Sequence, residues 1–270
     1  MPEKPANSKS LPLTVEVGKA SHKGMVRNHN EDSLVSFEFL CSENATERFF
    51  GFYAVADGVG GYEGGEVASR LALLVFAENV VRALLLPGPN SETYRLNQEV
   101  ALQILTKAVK AANNQVCTQA EQSGRGTTLA AVLTIDTMAY IANVGDSRVY
   151  LLNQGQLRQM TNDHSLVASL VAAGEITPEE VYTHPRRNII TRYLGMQPDI
   201  EVDLFTEELH PGDSLLLCSD GLWEMVRNNE IQEAAIKADE AQSACERLVK
   251  LANQNGGVDN VSVIMVKVSP

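Results

Sequence analysis

The sequence has few cysteines, and none of them is placed for a zinc site. Cys41, Cys117, Cys218 and Cys245 lie far apart, and no two of them form a Cys-x-x-Cys pair. This excludes a zinc site built on ligand-spaced cysteines, and the pattern does not resemble a disulfide framework. A reducing compartment, the cytoplasm, therefore fits best. We expect Cys218 and Cys245 in the core because their neighbours are apolar.

Long apolar runs and an excess of positive charge are also absent. No uninterrupted apolar stretch approaches the length needed to cross a membrane. Residues 1–12 are polar, with three prolines and no apolar segment typical of a signal peptide, and we expect them to form a flexible tail. The net charge of −12 would repel nucleic acids and anionic membranes, so neither is an expected partner.

What the sequence does contain is enough apolar material for a large core. Hydrophobic residues make up 44% of the 270 residues, which suits one sizeable domain or two small ones. No repeat or linker divides the chain, so we expect one domain over residues 13–270. Its strands and helices come in blocks, which predicts an α+β architecture of antiparallel sheets with segregated helices.

Periodicity and turn residues predict the individual elements. Strands are expected at 14–20, 33–39, 49–56, 128–135, 139–144, 148–152, 156–160, 200–205, 214–219 and 261–268, and helices at 66–86, 91–122, 165–173, 230–237 and 241–253. The polar residues 41–48 are predicted to form a turn, and residues 174–193 an irregular segment. The first long helix is expected to present an apolar face made of Val67, Leu71, Leu74 and Val75.

Several carboxylates stand where apolar strands begin or end. Tyr53 to Gly61 is an apolar run that ends at Asp57 and continues into a turn made almost entirely of glycine. On its own, this stretch is explained equally well by an ordinary Asp-Gly turn. Similar placements recur at Glu31-Asp32, Asp146, Asp220 and Asp259. Because strand ends of one sheet or of stacked sheets lie close together, we expect these acids to converge.

Converging carboxylates repel one another unless cations neutralise them. Oxygen ligands without histidine or cysteine favour Mg²⁺ or Mn²⁺, and the number of acids favours two ions bridged by a shared aspartate. Such a centre activates water and holds a phosphoester for in-line attack, so the predicted chemistry is hydrolysis. Arg27, shortly before Glu31, suits the phosphate, although without the acids a solvated surface arginine is the default interpretation.

A nucleotide site at the glycine turn is a competing interpretation, and it fits poorly. Residues 58–63 follow a strand and precede a helix, but Glu63 stands where the dinucleotide fingerprint requires glycine. Residues 60–65 have the spacing of a phosphate-binding loop, but Glu66 replaces the lysine that such a loop requires.

A series of short motifs occurs in a fixed order along the chain. They are GMVRNHNED at 24–32, ADGVGG at 56–61, GEVAS at 65–69, GTT at 126–128, NVGDSR at 143–148, TNDHSL at 161–166, CSDGLW at 218–223 and DNVS at 259–262. Together they resemble the metal-dependent protein phosphatases of the PPM (PP2C-type) family, specifically the bacterial single-domain serine/threonine phosphatases. The resemblance implies a four-layer αββα sandwich, in which two central antiparallel β-sheets are flanked by antiparallel helix pairs.

The resemblance also implies a binuclear Mn²⁺ or Mg²⁺ centre in a cleft at one end of the sandwich. Asp57 matches the acid that bridges both ions, and the carbonyl of Gly58 matches a ligand of one of them. Asp220 and Asp259 match the ligands of the other ion. Asn260, directly after Asp259, is a further candidate.

The remaining matched positions surround this centre. Glu31 and Asp32 match residues that bind or orient metal-bound waters, and Arg27 matches the residue that takes the substrate phosphate. A third, weaker ion is implied at Asp146 together with Asp220, and Glu224 is a less certain participant in that site.

One position departs from the family pattern. Animal members often carry a histidine directly after the Asp-Gly pair, proposed to protonate the leaving alcohol, whereas this chain has Val59. Valine cannot transfer a proton, so a metal-bound water, steered by Asp32, is expected to do so. His164 and His184 are further candidates, for which a structural role is the favoured interpretation.

The flap of bacterial members corresponds to about residues 165–197, and it is expected to shape substrate access.

The sequence thus predicts a Mn²⁺- or Mg²⁺-dependent protein phosphatase that hydrolyses phosphoserine and phosphothreonine. A hydroxide that bridges the metal ions would attack phosphorus directly, without a phosphoenzyme. The expected partners are phosphoprotein substrates and a cognate bacterial serine/threonine kinase, and the expected state is a monomer. Two alternatives keep the fold: a catalytically silent binding module, and a regulatory phosphatase dedicated to one signalling partner.

Overall fold

The computed structural model describes residues 13–43, 46–59, 64–85, 96–120 and 125–269. The strands are β1 (Val15–His22), β2 (Ser33–Glu43), β3 (Thr46–Ala56), β4 (Gly58–Val59), β5 (Gly126–Thr127), β6 (Leu129–Ile135), β7 (Met138–Val144), β8 (Arg148–Asn153), β9 (Gln156–Gln159), β10 (Asp203–Glu208), β11 (Ser214–Cys218) and β12 (Val261–Val268). The α-helices are α1 (Gly65–Leu85), α2 (Gln98–Ala120), α3 (Leu166–Ala172), α4 (Asp220–Trp223), α5 (Asn228–Ile236) and α6 (Ala241–Gln254). A 3-10 turn lies at Glu180–Thr183. The expected tail at 1–12 and the glycines at 60 and 61 lie outside the described residues.

Ten of the strands form two five-stranded antiparallel sheets. The first has the order β1-β12-β11-β8-β9, and the second has the order β10-β7-β6-β3-β2. The short strands β4 and β5 pair with each other beside these sheets. Adjacent strands within each sheet run antiparallel, as the block order of predicted elements indicates.

Three apolar layers hold the elements together. One lies between the two sheets and includes Tyr53 and Ile264. A second lies between the outer face of the second sheet and helices α1 and α2, and includes Phe76. The third packs α5 and α6 against the first sheet, and includes Trp223 and Met265. The result is the four-layer αββα sandwich that the family resemblance implies.

Strand β12 shows how the sequence fits this layering. Val263 and Met265 contribute to the layer beneath α6, whereas Ile264 and Val266 contribute to the layer between the sheets. Successive side chains of a strand point to opposite faces. Since both faces of β12 are covered, residues 263–266 form a continuous apolar run and do not alternate between apolar and polar side chains.

Some elements differ from the sequence-based expectations. The polar stretch at 41–48 is not simply a turn, because β2 and β3 stay paired from Ser33 opposite Ala56 to Glu43 opposite Thr46. Backbone pairing in this long hairpin does not require apolar side chains at an exposed edge. The strand expected at 200–205 lies at Asp203–Glu208 instead, and α4, β4 and β5 are too short for periodicity to reveal. The predicted start of the second helix, 91–95, lies outside the described residues.

The predicted apolar face of α1 is only partly correct. Leu71 and Val75 are half-buried and pack against the core, whereas Val67 and Leu74 are exposed. The fully buried positions of the helix are Gly65, Ala68, Ser69, Ala72, Leu73, Phe76 and Val80. Apolar residues occur on more than one side of this helix, so periodicity alone does not select the packed face. The buried side carries small residues, which allow the helix to approach its neighbours closely.

Within the described ranges, no helix has the length and apolar character needed to cross a membrane.

Two neighbouring leucines on α1 test which face is packed. Leu73 is 4% exposed and Leu74 is 59% exposed. Leu73→Ala should lower the free energy of unfolding by about 2 to 5 kcal/mol, because it removes buried methyl groups and leaves a cavity. Leu74→Ala, the matched control, should change it by less than about 0.5 kcal/mol. Urea unfolding measures both values, and equal effects would contradict the observed packing.

Candidate metal centre

The predicted acids lie at neighbouring strand ends. Asp57 follows β3, Asp146 lies between β7 and β8, and Asp220 begins α4 directly after β11. Cys218, at the end of β11, pairs with Arg148 at the start of β8 and with Val263 near the start of β12. The sandwich therefore presents these segments, together with the start of β2, at one end.

The backbone around Asp57 is held by two threonines. The amide of Asp57 donates to the hydroxyl of Thr128 at 2.9 Å. The carbonyl of Asp57 accepts from the amide of Thr128 at 2.9 Å and from the hydroxyl of Thr127 at 2.8 Å. A methyl group on Gly58 would lie 2.4 Å from the carbonyl carbon of Gly65, so only glycine allows α1 to begin this close to Asp57. The sequence motif contains both threonines but does not reveal this role.

The acids at this end interact strongly with one another. Burial raises the pKa of Asp57 well above its usual value, and the charges of Asp220, Asp32 and Asp146 raise it further. The carboxyl groups of Asp57 and Asp220 are close enough to share a hydrogen bond. Burial also raises the pKa of Asp32 to about 6 and that of Asp146 to about 7. Without counter-charge, this group of acids holds protons near neutral pH.

Three of the acids also carry a buried oxygen with no hydrogen-bond partner among the described residues. These atoms are Oδ1 of Asp32, Oδ1 of Asp146 and Oδ1 of Asp220. Buried polar atoms in folded proteins are normally satisfied, so unpartnered carboxylate oxygens are typical of a site that binds a cation. All the donors are oxygen, which is the ligand type that Mg²⁺ and Mn²⁺ prefer. The residues present therefore fit divalent ions.

The acids are close together but do not form a complete ligand shell. Within the described ranges, no three aspartate, glutamate, histidine or cysteine side chains are placed to hold one ion as they stand. One reason lies at Asp259, whose Oδ2 accepts a 2.6 Å hydrogen bond from the guanidinium of Arg27. Its Oδ1 accepts from the amide of Asn260 at 2.8 Å. The expected phosphate-binding arginine thus neutralises one of the expected metal ligands.

Asp32 is held by a serine that sequence reasoning did not single out. The hydroxyl of Ser219 donates to Oδ2 of Asp32 at 2.7 Å and accepts from the amide of Ser262 at 2.9 Å. Ser219 is fully buried between β11 and α4. It stands directly before Asp220 in the sequence, which is the one signal that could have marked it.

Asn260 connects the start of β12 to the loop between β1 and β2. Its Nδ2 donates to the carbonyls of Lys23 and His29, at 2.9 and 2.8 Å, and its Oδ1 accepts from the amide of Glu31 at 2.8 Å. These bonds give Asn260 a positioning role. Burial raises the pKa of Glu31, and a methyl group on Gly65 would lie 2.7 Å from its Oε2.

A buried cation lies behind Asp146. The Arg148 guanidinium stacks 3.7 Å from the centre of the Trp223 ring and forms a salt bridge of 2.6 Å with Asp163. The indole of Trp223 donates to the backbone carbonyl of Asp146 at 3.0 Å. This cluster fixes the backbone of Asp146 from behind. Its residues lie in three of the motifs quoted above, at 143–148, 161–166 and 218–223, but the motifs do not show that these residues contact one another.

The remaining candidates lie on or under the flap. Arg187 forms a 3.3 Å ion pair with Glu224, whose pKa is raised chiefly by burial. His164 accepts from the amide of Gly145 at 3.0 Å through Nδ1, and its Nε2 lies 3.2 Å from Asp203. His184 accepts from the amide of Arg186 within the flap. Both histidines therefore make hydrogen bonds that hold the local structure.

Comparisons with known proteins show which family the chain is similar to. The family model described as Protein phosphatase 2C matches residues 28–257. The "Serine/threonine phosphatase stp" of Listeria welshimeri is 37% identical over 250 residues, which cover 91% of this chain and 92% of that protein.

Solved structures are also similar. The catalytic domain of PstP, a serine/threonine phosphatase of Mycobacterium tuberculosis, was solved with two manganese ions. It has a TM-score of 0.77 and 36% identity, over 96% of this chain and all of that one. The structure of Stp1 from Staphylococcus aureus has a TM-score of 0.81 and 32% identity, over 99% of this chain and all of that one.

The raised acid pKa values predict how pH changes the stability of the metal-free protein. A carboxyl whose pKa is higher in the folded state stabilises the fold below the unfolded-state pKa, near 3.9, and loses that contribution as pH rises through the folded-state value. For Asp146 the loss therefore extends from about pH 4 to about pH 7. Each pKa unit corresponds to about 1.4 kcal/mol.

Comparison of variants isolates this effect, because the lowered pKa of His164 acts in the opposite direction. Urea unfolding in excess chelator should show Asp146→Asn gaining stability relative to the unsubstituted protein as pH rises from about 5 to about 8. Asp199→Asn, a change at an exposed acid, should keep a constant difference. A constant difference for Asp146→Asn as well would contradict the raised pKa.

Proposed function

The chain belongs to the protein phosphatase 2C family and is a metal-dependent serine/threonine protein phosphatase, and we propose which of its residues bind metal and phosphate. The observation that carries the proposal is the group of buried acids with unpartnered carboxylate oxygens at one end of the sandwich. We assign Asp57 as a ligand of both principal metal ions. The carbonyl of Gly58 would be a further ligand of one ion, and Asp220 and Asp259 would be ligands of the other.

The other acids complete this arrangement. Glu31 and Asp32 bind or orient metal-bound waters, and Asp146 with Asp220 holds a third, weaker ion, to which Glu224 contributes. When bound, the ions activate a water for direct attack on phosphorus and neutralise the negative charge of the acids and the phosphate. Mn²⁺ is our first choice for the two principal sites because the related PstP structure contains two manganese ions.

Arg27 has two partners in this proposal. In the structure one nitrogen of its guanidinium donates to Asp259. A guanidinium carries five N–H donors, so Arg27 can bind phosphate oxygens either beside this bond or in place of it. Half of the Arg27 side chain is exposed, which leaves it room to turn.

Asp32 is the group best placed to manage a proton. In the metal-free protein its pKa is raised to about 6, chiefly by burial. Ser219 keeps Oδ2 in place, while Oδ1 has no partner among the described residues. We therefore assign Oδ1 of Asp32 to steering the water that protonates the leaving alcohol, since Val59 has no group that can do so.

Three further features belong to the proposal. Residues 13–270 form one phosphatase domain, and the flap at about 165–197 shapes access to the site. The flap is tied to the body by the Arg187–Glu224 pair and by the bonds of Arg192 to Asp203. The protein acts in the cytoplasm as a monomer, and it opposes a serine/threonine kinase that phosphorylates the same proteins.

Two alternatives are weaker. A catalytically silent binding module would have no reason to keep every acid, because buried like charges are costly without ions. A regulatory phosphatase dedicated to one signalling partner would hydrolyse one phosphoprotein only. Broad activity on unrelated phosphopeptides would argue against this second alternative.

The role of Asp57 is tested by Asp57→Asn. Phosphate release from a phosphothreonine peptide in Mn²⁺ should fall by at least about 100-fold, because the shared ligand of both ions loses its charge. Trp223, the only tryptophan, gives a second readout since its indole bonds to the carbonyl of Asp146. Its fluorescence should change during a Mn²⁺ titration, and Asp57→Asn should shift that titration to higher concentrations.

Asp199→Asn is the control for charge, and it should behave like the unsubstituted enzyme in both measurements. Full activity of Asp57→Asn, or activity that persists in excess chelator, would contradict the proposed centre.

The role of Arg27 is tested by Arg27→Ala. The variant should lose about 10- to 100-fold in kcat/KM for a phosphothreonine peptide, mainly through a higher KM, because hydrogen bonds to a charged phosphate are lost. Arg82→Ala removes a guanidinium from the exposed Arg82–Glu78 pair and should leave kcat/KM unchanged. An unchanged KM in Arg27→Ala would exclude Arg27 as the phosphate ligand.

A further inference from the structure

Exposed apolar residues directly precede both members of the Arg27–Asp259 salt bridge in the sequence. Met25 and Val26, directly before Arg27, are 67% and 65% exposed, and Val258, directly before Asp259, is 44% exposed. Single apolar residues on a surface are ordinary, but a contiguous apolar patch marks a binding site. The question is whether these side chains form one surface.

The glycine turn at Gly256-Gly257 joins them. The amide of Met25 donates to the carbonyl of Gly257 at 2.7 Å, and a methyl group on Gly257 would lie 2.7 Å from Cγ of Met25. A methyl group on Gly256 would lie 3.7 Å from Val258 and 3.8 Å from the sulfur of Met225. The side chains of Val258, Met225 and Met25 therefore border the same glycine backbone, and Val26 follows Met25 directly in the sequence.

We call Met25, Val26, Met225 and Val258 the apolar rim. Its backbone is well fixed, because Asn255 donates to the carbonyl of Met225 at 2.9 Å and Asn260 donates to that of Lys23 at 2.9 Å. The rim is thus an apolar surface on a rigid support, beside the pair that we assign to phosphate and metal.

A groove of about 430 Å³ adjoins Met25. It lies between the end of β1 and helix α6, and Ala20, Met25 and Val249 are among its lining residues. Glu246 and Lys250 also border the groove, so its lining carries charges of both signs. A chain that leaves the phosphate site over Met25 would enter this groove.

Resting on the proposed function, we propose that the apolar rim and this groove bind an apolar side chain of the phosphoprotein, close in sequence to the phosphoserine or phosphothreonine. Met25 is two residues from Arg27, so at most about 7 Å of extended chain separates them. An extended substrate covers the same distance in two residues. The continuity of the rim with the phosphate site selects the substrate itself as the occupant.

The composition of the rim indicates what kind of apolar group it accepts. Methionine side chains are flexible and polarizable, and they adapt to partners of different shape. Two of the four rim residues are methionines. The rim therefore favours a class of side chains, such as leucine, methionine or phenylalanine, and does not specify one sequence.

Two phosphothreonine peptides of equal length and charge test the proposal. One carries leucine at the second position on each side of the phosphothreonine, and the other carries serine there. The unsubstituted enzyme in Mn²⁺ should prefer the leucine peptide by about 5- to 10-fold in kcat/KM, which corresponds to partial burial of one leucine. Most of the difference should lie in KM.

The rim variants should remove this preference. In Met25→Ser/Val258→Ser, and in the single variant Met25→Ser, the ratio of kcat/KM between the two peptides should fall towards 1. Leu74→Ser is the matched control, because it also exposes a hydroxyl in place of an exposed apolar side chain, but on α1. It should keep the ratio of the unsubstituted enzyme.

The outcomes separate this proposal from the proposed function. If the unsubstituted enzyme in Mn²⁺ hydrolyses neither peptide nor p-nitrophenyl phosphate, which is too small to reach the rim, the proposed function fails. If it hydrolyses all three but treats both peptides equally, the rim proposal is overturned and the function stands. A rim variant that keeps the preference, or that changes only the association state in sedimentation, overturns the rim proposal as well.

Discussion

Repulsion among acids at one end of the sandwich is the constraint on which the rest of the site depends. Asp57, Asp146 and Asp220 come from three different strand ends, and the layers of the sandwich bring those ends together whatever the charges require. Burial then raises the pKa of each acid. Protons, a guanidinium or metal ions can each relieve this repulsion. The same carboxylates that repel one another therefore favour the binding of divalent ions.

The Arg27–Asp259 pair shows how the chain handles this charge without ions. It places a cation from the loop after β1 against an acid that precedes β12. The pair is exposed enough to exchange partners, unlike the buried Arg148–Asp163 pair, which is fixed between Trp223 and Tyr150. The two arginines thus differ in how firmly they hold their acidic partners. The difference follows from burial, because Arg148 is buried and Arg27 is half exposed.

Features with a local pattern were predictable from the sequence, and features made by distant contacts were not. An apolar strand that stops at an Asp-Gly pair predicts Asp57 at a sheet end, and the motif order predicts the family and the layers. The packed face of α1 was predicted only in part, because the helix is apolar on several sides. The bond from Ser219 to Asp32 spans 187 positions, and no local spacing encodes it.

Strand β12 has a consequence for how activity arises during synthesis. It lies between β1 and β11, and Asp259 and Asn260 immediately precede it. A nascent chain that has not yet released these residues from the ribosome lacks both an interior strand of the first sheet and one of the proposed metal ligands. The proposed metal centre can therefore be complete only after β12 has joined its sheet.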